Sequence, residues 1–271
     1  MNIAELLKEV KYSGSFEDKA VLAVTANSRA VRAGSVFVCI KGAHFDGHSA
    51  AKEAENDGAV LIVAEHDTGA KNQVLVEDSR SAYSLICAAF YGWPAKHLTL
   101  IGVTGTNGKT TTTMLLKGIL DKAGIRCGLV GTVQNMVGEK ALPASLTTPD
   151  CKDLQKLFAD MVEAGCTHCV MEVSSQALAQ KRVDGCHFAV ALFTNLTQDH
   201  LDYHGTFENY LAAKRTLFTK ADVAVLNTDD PHALKMTEGL PVRTVTFSVH
   251  QPDSDYTAKN VICTSSSVQY E

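Results

Sequence analysis

The sequence lacks a basic excess, a long apolar run and a leader-like start. Its 25 Lys and Arg face 30 Asp and Glu, giving a formal net charge of −5 at pH 7. Without surplus positive charge to neutralise phosphates, we expect no nucleic-acid partner. Apolar stretches such as residues 188–193 are far shorter than the roughly 18 residues of a membrane helix. We therefore expect no membrane partner either.

The N-terminus and the cysteines also exclude function classes. The first residues, MNIAELLKEV, carry Glu5 and Glu9 in a helical pattern and do not resemble a signal peptide. Most of the 8 cysteines lie in apolar segments, which is typical of reduced, buried thiols. Cys166 and Cys169 have metal-ligand spacing, but no second Cys or His pair follows at a zinc-site interval. A packed, reduced pair is favoured over a zinc site, and we expect a cytoplasmic protein.

The length of 271 residues and the apolar fraction of 45% allow one large domain or two ordinary ones. The first part alternates predicted strands with helices, as a small α/β domain does. Its predicted strands are residues 21–25, 35–40, 59–65 and 73–78, and its predicted helices are residues 49–57 and 79–91, the second capped by Ser79. Gly92, Pro94 and Lys96 break this pattern. We therefore predict one domain over residues 1–94 and a second over residues 95–271.

The second part alternates more regularly. Predicted strands cover residues 98–104, 126–133, 168–173, 188–195, 223–227 and 242–249, and predicted helices cover residues 110–123, 153–164, 176–180, 206–219 and 231–237. Near-continuous apolar strands between helices predict an α/β fold with a mostly parallel sheet covered on both faces. Ligands of such sheets bind at the carboxyl ends of the strands. The final stretch, residues 256–271, is β-like.

The strongest motif is LTLIGVTGTNGKTTTT, residues 98–113, where a strand leads into a glycine-rich turn and a helix. Gly105 and Gly108 let backbone N–H groups approach phosphates, Lys109 can reach the β and γ oxygens, and Thr110 can ligate Mg²⁺. The strict pattern G-x-x-x-x-G-K-[ST] requires a glycine where Val103 stands. The alternative is a structural turn without nucleotide.

Glu172 is a lone carboxylate near the end of an apolar strand, where an unpaired charge is costly. It is interpreted either as a salt-bridge partner or as a second Mg²⁺ ligand opposite Thr110. The segment FTNLTQDHLDYH, residues 193–204, follows another strand and gathers titratable side chains of the kind that make metal or proton-transfer sites. These are Asp199, His200, Asp202 and His204. A polar loop is the alternative for His200 and the favoured interpretation for Asp202 and His204.

Lys214 falls on the apolar stripe of the predicted helix over residues 206–219. One explanation is that its stem snorkels to water. The other is that its amine is desolvated and used chemically, because buried lysines lose their charge readily. Spacing alone leaves both open.

Several motifs in order resemble the Mur ligases. They are GTNGKTTT, MEVSSQAL, FTNLTQDHLDYHG and YLAAKRTLF, preceded by NSRAVRAGSVFVCIKG and FDGH, which resemble the UDP-binding domain of that family. Val103 at the strict glycine position is itself the family's pattern. The resemblance is strongest to the branch that adds a diamino acid.

The resemblance implies an ATP-dependent amide ligase of peptidoglycan precursor synthesis. ATP phosphorylates the terminal carboxylate of UDP-MurNAc-L-Ala-D-Glu, and the amine of meso-diaminopimelate or L-lysine attacks the acyl phosphate. ATP and Mg²⁺ are the implied cofactors. The alternatives are another Mur-type ligase, such as a MurF-like enzyme, or a P-loop nucleotide-binding module without ligase activity.

The resemblance also assigns site residues. The ATP phosphates fall to Gly105, Thr106, Asn107, Gly108, Lys109, Thr110 and Thr111. Catalysis falls to Lys109, Glu172, His200 and Lys214, and Mg²⁺ to Thr110, Glu172, His200 and a carbamylated Lys214. The UDP-sugar peptide falls to Ala26, Ser28, Ala43, His44, Phe45, Thr147, Thr148, Ser174, Gln180 and Arg182. A solvated surface pair is the alternative for Gln180 and Arg182.

Mur ligases end in a third domain that closes over ATP, and no segment of this chain resembles it. We expect a fragment that binds its nucleotides and does not turn over alone. We also expect a monomer.

Overall fold

The computed structural model describes residues 1–264 and 267–271. They form two compact units. The first unit holds Met1–Ala95 with Pro149–Ala159 and Gln180–Gly185, and the second holds Lys96–Thr148, Asp160–Ala179 and Cys186–Glu271. The predicted domain division at residues 94 and 95 stays a proposal. No helix in the described part of the chain is long and apolar enough to span a membrane.

The first unit is built on a four-stranded parallel sheet in the order β1-β2-β3-β4. The strands are β1 (Ala23–Thr25), β2 (Ser35–Val38), β3 (Ala59–Ala64) and β4 (Gln73–Leu75), and the helices are α1 (Ile3–Leu6), α2 (Ala51–Asn56) and α3 (Ser79–Phe90). Short 3₁₀ turns cover Ser28–Ala30, Gly47–Ala50 and Pro94–His97. All four predicted strands are present: β1 begins two residues later than predicted, and the other three end earlier than predicted.

Side chains alternate between the two faces of this sheet, and each face packs against its own apolar cluster. On β2, Val36 and Val38 join one apolar cluster, and Phe37 joins the other. The predicted cap of α3 is wrong by one residue. The Asp78 carboxylate accepts the Ser81 N–H, and the Ser79 hydroxyl donates to Glu65 Oε1.

The second unit holds a nine-stranded sheet in the order β13-β12-β11-β10-β5-β9-β6-β7-β8. Its strands are β5 (Thr99–Thr104), β6 (Cys127–Val130), β7 (Gln134–Val137), β8 (Lys140–Pro143), β9 (His168–Glu172), β10 (Phe188–Phe193), β11 (Ala221–Asn227), β12 (Arg243–Ser248) and β13 (Tyr256–Thr257). Seven of these run parallel, from β13 to β6, and β7 and β8 add an antiparallel edge. The predicted α/β fold with a mostly parallel sheet is confirmed.

The remaining helices are α4 (Lys109–Lys122), α5 (Cys151–Glu163), α6 (Ser175–Ala179), α7 (Leu201–His204) and α8 (Phe207–Arg215). The predicted helix over residues 206–219 ends at Arg215, and a 3₁₀ turn, Phe218–Lys220, follows it. The predicted helix over residues 231–237 is a set of turns around a 3₁₀ segment, Leu234–Met236. Propensity over so few residues is too small to nucleate a helix.

The two ends of the second unit's sheet also differ from the sequence reading. The β7–β8 hairpin was not predicted. Its turn at Gly138 adopts φ 60°, which a glycine tolerates. At the chain's end the β-like stretch gives β13 and a separate two-stranded sheet of β14 (Ile262–Cys263) and β15 (Val268–Gln269). The part of that stretch at residues 265–266 lies outside the described residues.

Candidate functional site

The central strands of the second unit bring three sequence motifs to one edge. In the order β10-β5-β9, the phosphate loop follows β5, Glu172 ends β9, and Thr194 follows β10. Parallel neighbours place their carboxyl ends together. The edge predicted from strand alternation is therefore the edge where the polar side chains meet.

The phosphate loop, residues 105–108, needs its two glycines. Gly105 has φ 153°, and an added Cβ would lie 1.9 Å from Thr194 Oγ1. Gly108 has φ 84° and begins α4 from the left-handed region. Asn107 is fixed from the neighbouring strand, since its carbonyl accepts from the Thr194 hydroxyl at 2.7 Å and its N–H donates to Asn195 Oδ1 at 2.9 Å. The sequence reading missed these two supporting residues.

Lys109 lies across the loop. Its Nζ donates to the carbonyls of Gly105 and Thr106 at 2.9 and 2.8 Å. Burial lowers the pKa of Lys109, and the negative charges of Glu172 and Asp199 oppose that shift. The Lys109 ammonium therefore lies at the phosphate loop itself.

Glu172 is 1% exposed and accepts three hydrogen bonds. Thr110 Oγ1 donates to Oε2 at 3.0 Å, Thr132 N–H donates to Oε1 at 2.8 Å, and Thr132 Oγ1 donates to Oε2 at 3.0 Å. Hydrogen bonds of this kind offset the cost of burying a carboxylate. The structure thus brings Glu172 and Thr110 together, as the second Mg²⁺-ligand interpretation requires. Thr132 was missed.

Lys214, on α8, is 1% exposed, so its head does not reach water and snorkelling is wrong. Its Nζ donates to the Gly105 carbonyl at 2.8 Å and lies 4.5 Å from the centre of the Tyr210 ring. Desolvation lowers the pKa of Lys214 well below its ordinary value, and the positive charge of Lys109 lowers it further. The Gly105 carbonyl therefore accepts from both lysines.

Tyr210 is fully buried and links this lysine to the loop. Its hydroxyl is 3.1 Å from Thr106 Oγ1, which also donates to the Thr197 carbonyl. Burial raises the pKa of Tyr210, so the phenol stays neutral. The aromatic stripe of α8 indicated a buried tyrosine, but its contact with the loop depends on the fold.

The titratable side chains that follow β10 lie in different environments. His200 has φ 53° and a side chain 41% exposed, with its ring edge-on to Tyr210 at 6.0 Å and its Nε2 3.6 Å from Asp199 Oδ2. His204 is buried and its Nε2 is 2.9 Å from Ser175 Oγ. Burial and the charge of Lys214 lower the pKa of His204. Asp202 is exposed, but both Asp202 and His204 lie in the short helix α7 and not in a loop, so the polar-loop interpretation of these two residues is wrong.

Three predicted substrate residues also lie in the second unit, next to Glu172. The Thr148 hydroxyl donates to the Glu172 carbonyl at 2.8 Å and accepts from Ser174 N–H at 3.0 Å. Thr147 accepts from Thr132 Oγ1 at 3.0 Å. These hydroxyls extend the polar edge beyond the phosphate loop.

The other predicted substrate residues belong to the first unit, which contains a cavity of about 720 Å³. Five of the seven line it, namely Ala26, His44, Phe45, Gln180 and Arg182, whereas Ser28 and Ala43 are not among its lining residues. Arg182 Nε lies 3.0 Å from Asp150 Oδ1, and its Nη2 donates to Gln180 Oε1 at 2.8 Å. Gln180 and Arg182 are therefore hydrogen-bonded to each other where they line the cavity.

The sequence reading missed other lining residues, among them Arg80, Tyr83, Cys151 and Lys152. Arg80 Nη2 donates to the Lys41 carbonyl at 2.9 Å. Arg80, Lys152 and Arg182 line the same cavity, and cationic side chains of this kind suit a diphosphate. An arginine one position into α3 carried no signal without the fold.

The donor set beside the phosphate loop suits Mg²⁺. Hydroxyl and carboxylate oxygens are hard ligands, and those of Thr110 and Glu172 lie 3.0 Å apart. No group of three His, Cys, Asp or Glu side chains able to hold a metal ion occurs within residues 1–264 and 267–271.

A glycine-rich loop on a parallel sheet, with a buried lysine and carboxylate at its edge, defines a P-loop nucleotide-binding protein. The model of the Mur ligase middle domain matches residues 103–271, and that of the Mur ligase family catalytic domain matches residues 21–91. The chain belongs to the Mur ligase family.

The relatives are named as ligases. The chain is 43% identical to a UDP-N-acetylmuramoyl-L-alanyl-D-glutamate–2,6-diaminopimelate ligase of Clostridium botulinum, over 100% of the chain and 57% of the relative. It is 50% identical to the ligase of that name from Geobacillus kaustophilus, over 78% of the chain and 45% of the relative. A solved structure with that name is 29% identical with a TM-score of 0.85, covering 100% of this chain and 57% of the other. The chain thus spans about half the length of the relatives it matches.

Proposed function

We propose that this chain is the substrate-binding and ATP-binding part of a ligase that joins 2,6-diaminopimelate to UDP-MurNAc-L-Ala-D-Glu. The observation that carries the proposal is the buried Lys214 beside a phosphate loop whose Thr110 contacts Glu172. A nucleotide switch has no use for that lysine. The names of the relatives support the choice of substrates.

In the proposed reaction, the terminal carboxylate of the peptide attacks the γ-phosphorus of ATP and ADP leaves. The amine of diaminopimelate then attacks the acyl carbon, and phosphate leaves with an amide formed. Lys109 moves from the loop carbonyls to the transferred phosphoryl group and stabilises its charge. The backbone N–H groups of the phosphate loop and of the first residues of α4, residues 105–111, hold the remaining phosphate oxygens.

Mg²⁺ would be held by Thr110, Glu172, His200 and a carbamylated Lys214, and when bound it would neutralise charge on the phosphates. The low pKa of Lys214 supports the carbamate, because only a neutral amine attacks CO₂. The amine nitrogen bonds to the CO₂ carbon and loses a proton, which converts a buried cation into an anionic ligand.

The UDP-sugar peptide would be bound by the predicted substrate residues, five of which line the cavity of the first unit. These residues are Ala26, Ser28, Ala43, His44, Phe45, Thr147, Thr148, Ser174, Gln180 and Arg182. Arg80 and Arg182, which both line the cavity, support this placement, since guanidinium groups bind diphosphates bidentately. We also propose that the complete protein acts as a cytoplasmic monomer.

The test is isothermal titration of this chain with Mg-ATP and, separately, with UDP-MurNAc-L-Ala-D-Glu. We expect both to bind. Joining the chain to the C-terminal part of a relative should add diaminopimelate-dependent phosphate release. Failure of both ligands to bind would overturn the proposal, and phosphate release independent of the peptide substrate would favour a nucleotide-hydrolysing module.

A further inference from the structure

Arg182 lies on a short segment of the first unit, Gln180–Gly185, which we call the arginine segment. Gln180 and Arg182 line the cavity that is proposed for the UDP-sugar. Lys181, which stands between them, lines a second cavity of about 470 Å³ in the same unit, together with Asp78. Consecutive side chains of the arginine segment therefore line different cavities.

The backbone of the arginine segment is left-handed at Lys181, where φ is 57°. A residue with a Cβ adopts this conformation at a cost, which surrounding contacts must offset. Lys181 Nζ lies 2.8 Å from Asp78 Oδ2. The hydrogen bond to Asp78 raises the pKa of Lys181, so the ammonium stays charged. The ion pair therefore holds Lys181 in a conformation that its side chain alone disfavours.

The first two turns of α3 hold the rest of the arginine segment. The Ser81 hydroxyl donates to Asp184 Oδ2 at 2.9 Å, and the Ser84 hydroxyl donates to the Arg182 carbonyl at 3.2 Å. The Gly185 N–H donates to Ser84 Oγ at 3.1 Å, and a Cβ added at Gly185 would lie 3.0 Å from the Ser84 carbonyl oxygen. The backbone of Arg182 is thus held by the ion pair before it and by α3 at and after it.

The guanidinium of Arg182 makes its contacts at the first cavity. Its Nε lies 3.0 Å from Asp150 Oδ1, its Nη2 donates to Gln180 Oε1 at 2.8 Å, and the side chain is 14% exposed. Asp78 and Lys181 are not among the lining residues of this cavity. Their ion pair can therefore act on the guanidinium only through the backbone of the arginine segment.

We propose that Asp78 and Lys181 are positioning residues for a nucleoside diphosphate, whose ion pair fixes the arginine segment and so holds the Arg182 guanidinium at the cavity before the ligand binds. A side chain that is already ordered loses less conformational freedom on binding, which raises affinity. This inference rests on the proposed function, which assigns the cavity to a UDP-sugar. The side chains of Lys181 and Asp78 are 41% and 37% exposed, so we expect an effect of about fivefold on affinity.

Asp78→Asn removes the ion pair and keeps the cap of α3. Asp78 Oδ1 accepts the Ser81 N–H at 2.9 Å, and asparagine caps a helix as well as aspartate does. Isothermal titration of the whole chain with UDP should show about fivefold weaker binding for Asp78→Asn. Lys181→Arg, which retains the charge, should bind nearly as the unchanged chain does. Glu17→Gln is the matched control, because it removes the 2.8 Å ion pair with Lys19 from the same unit.

Lys181→Gly separates positioning from stability. Glycine adopts φ 57° without a steric cost, so this variant should unfold at about the same urea concentration as the unchanged chain. It should still bind UDP about fivefold more weakly, because the ion pair is lost. A purely structural role would instead make binding follow stability, and full affinity in this variant would contradict the proposal.

The Arg182→Ala background tests whether the ion pair acts through the guanidinium. In that background Asp78→Asn should cause no further loss of UDP affinity, because the group that it positions is gone. Two results would overturn the proposal. One is an equal loss with and without Arg182, and the other is unchanged UDP binding by Asp78→Asn alone.

A measurement without ligand distinguishes this inference from the proposed function. In ¹H–¹⁵N spectra of the whole chain, the Arg182 Nε–H is the signal that Arg182→Lys removes, and Asp78→Asn should broaden it or speed its exchange with water. A signal that does not respond would overturn the positioning role. A signal that responds in a chain that does not bind UDP would support the positioning of Arg182 and count against UDP as the occupant of the cavity.

Discussion

The two ligand-binding regions handle positive charge in different ways. In the second unit, the half-buried Lys109 and the buried Lys214 donate to the same Gly105 carbonyl. In the first unit, the Arg182 side chain is 14% exposed and is paired with the Asp150 carboxylate, which is 64% exposed. Phe45, on the same cavity, is 56% exposed. Buried charge is expensive unless it is compensated, whereas charge near water costs little. We therefore expect chemistry at the phosphate loop and substrate recognition at the cavity.

The largest expected effect concerns Lys214. Lys214→Ala in a full-length enzyme should lower ligation about a thousandfold or more, because it removes both the buried amine and the proposed carbamate. Added short carboxylates should restore part of the rate. Lys235→Ala, at an exposed position, is the matched control. An unchanged rate of phosphate release in a steady-state assay would show that ligation does not need a carbamate on Lys214.

Lys109→Ala should weaken Mg-ATP binding to this chain about 100-fold, the ~3 kcal/mol of a hydrogen bond to a charged group. The measurement is isothermal titration. Lys122→Ala, at the exposed end of the same helix, should bind as the unchanged chain does. If both variants bound equally well, the phosphate loop would not be the nucleotide site.

Arg182→Ala should weaken UDP binding about tenfold and leave Mg-ATP binding unchanged, because the arginine lies on the cavity and not at the phosphate loop. Lys71→Ala, at an exposed position in the same unit, is the control. Loss of ATP affinity in the Arg182 variant would show that the cavity and the phosphate loop do not bind their ligands independently.

The smallest effect is on stability. The folded-state pKa of Lys214 is lowered, so between that value and its ordinary pKa near 10.5 the unfolded chain binds more protons. The free energy of unfolding should then rise with pH across that window, by at most about 1.4 kcal/mol per pH unit from this group. Urea unfolding at several pH values should show a steeper rise than in Lys214→Met. Parallel curves would mean that Lys214 is not desolvated.

Near-continuous apolar runs were enough to predict the central parallel strands of both sheets, because a strand buried on both faces must be apolar on both. They were not enough for β7 and β8, whose half-exposed, polar residues, such as Gln134 and Lys140, carry little pattern at a sheet edge. The short helix predicted over residues 231–237 is absent, whereas the one predicted over residues 176–180 is present as α6.

The candidate site divides along the same line. Motif spacing identified the loop with Lys109 and Thr110, and the apolar stripe singled out Lys214. Spacing could not identify Thr132 or Arg80, because a threonine or an arginine in a polar stretch has no distinguishing neighbour. Their roles come from contacts with residues far away in sequence.

The sequence by itself determined the α/β class, the phosphate loop and the presence of a lysine where an apolar residue belongs, because each depends on local spacing. Only the tertiary structure decided that Lys214 donates to the Gly105 carbonyl and that the Glu172 carboxylate accepts hydrogen bonds from Thr110 and Thr132. Those contacts arise from the order of the strands and the packing of the helices, which no local pattern specifies.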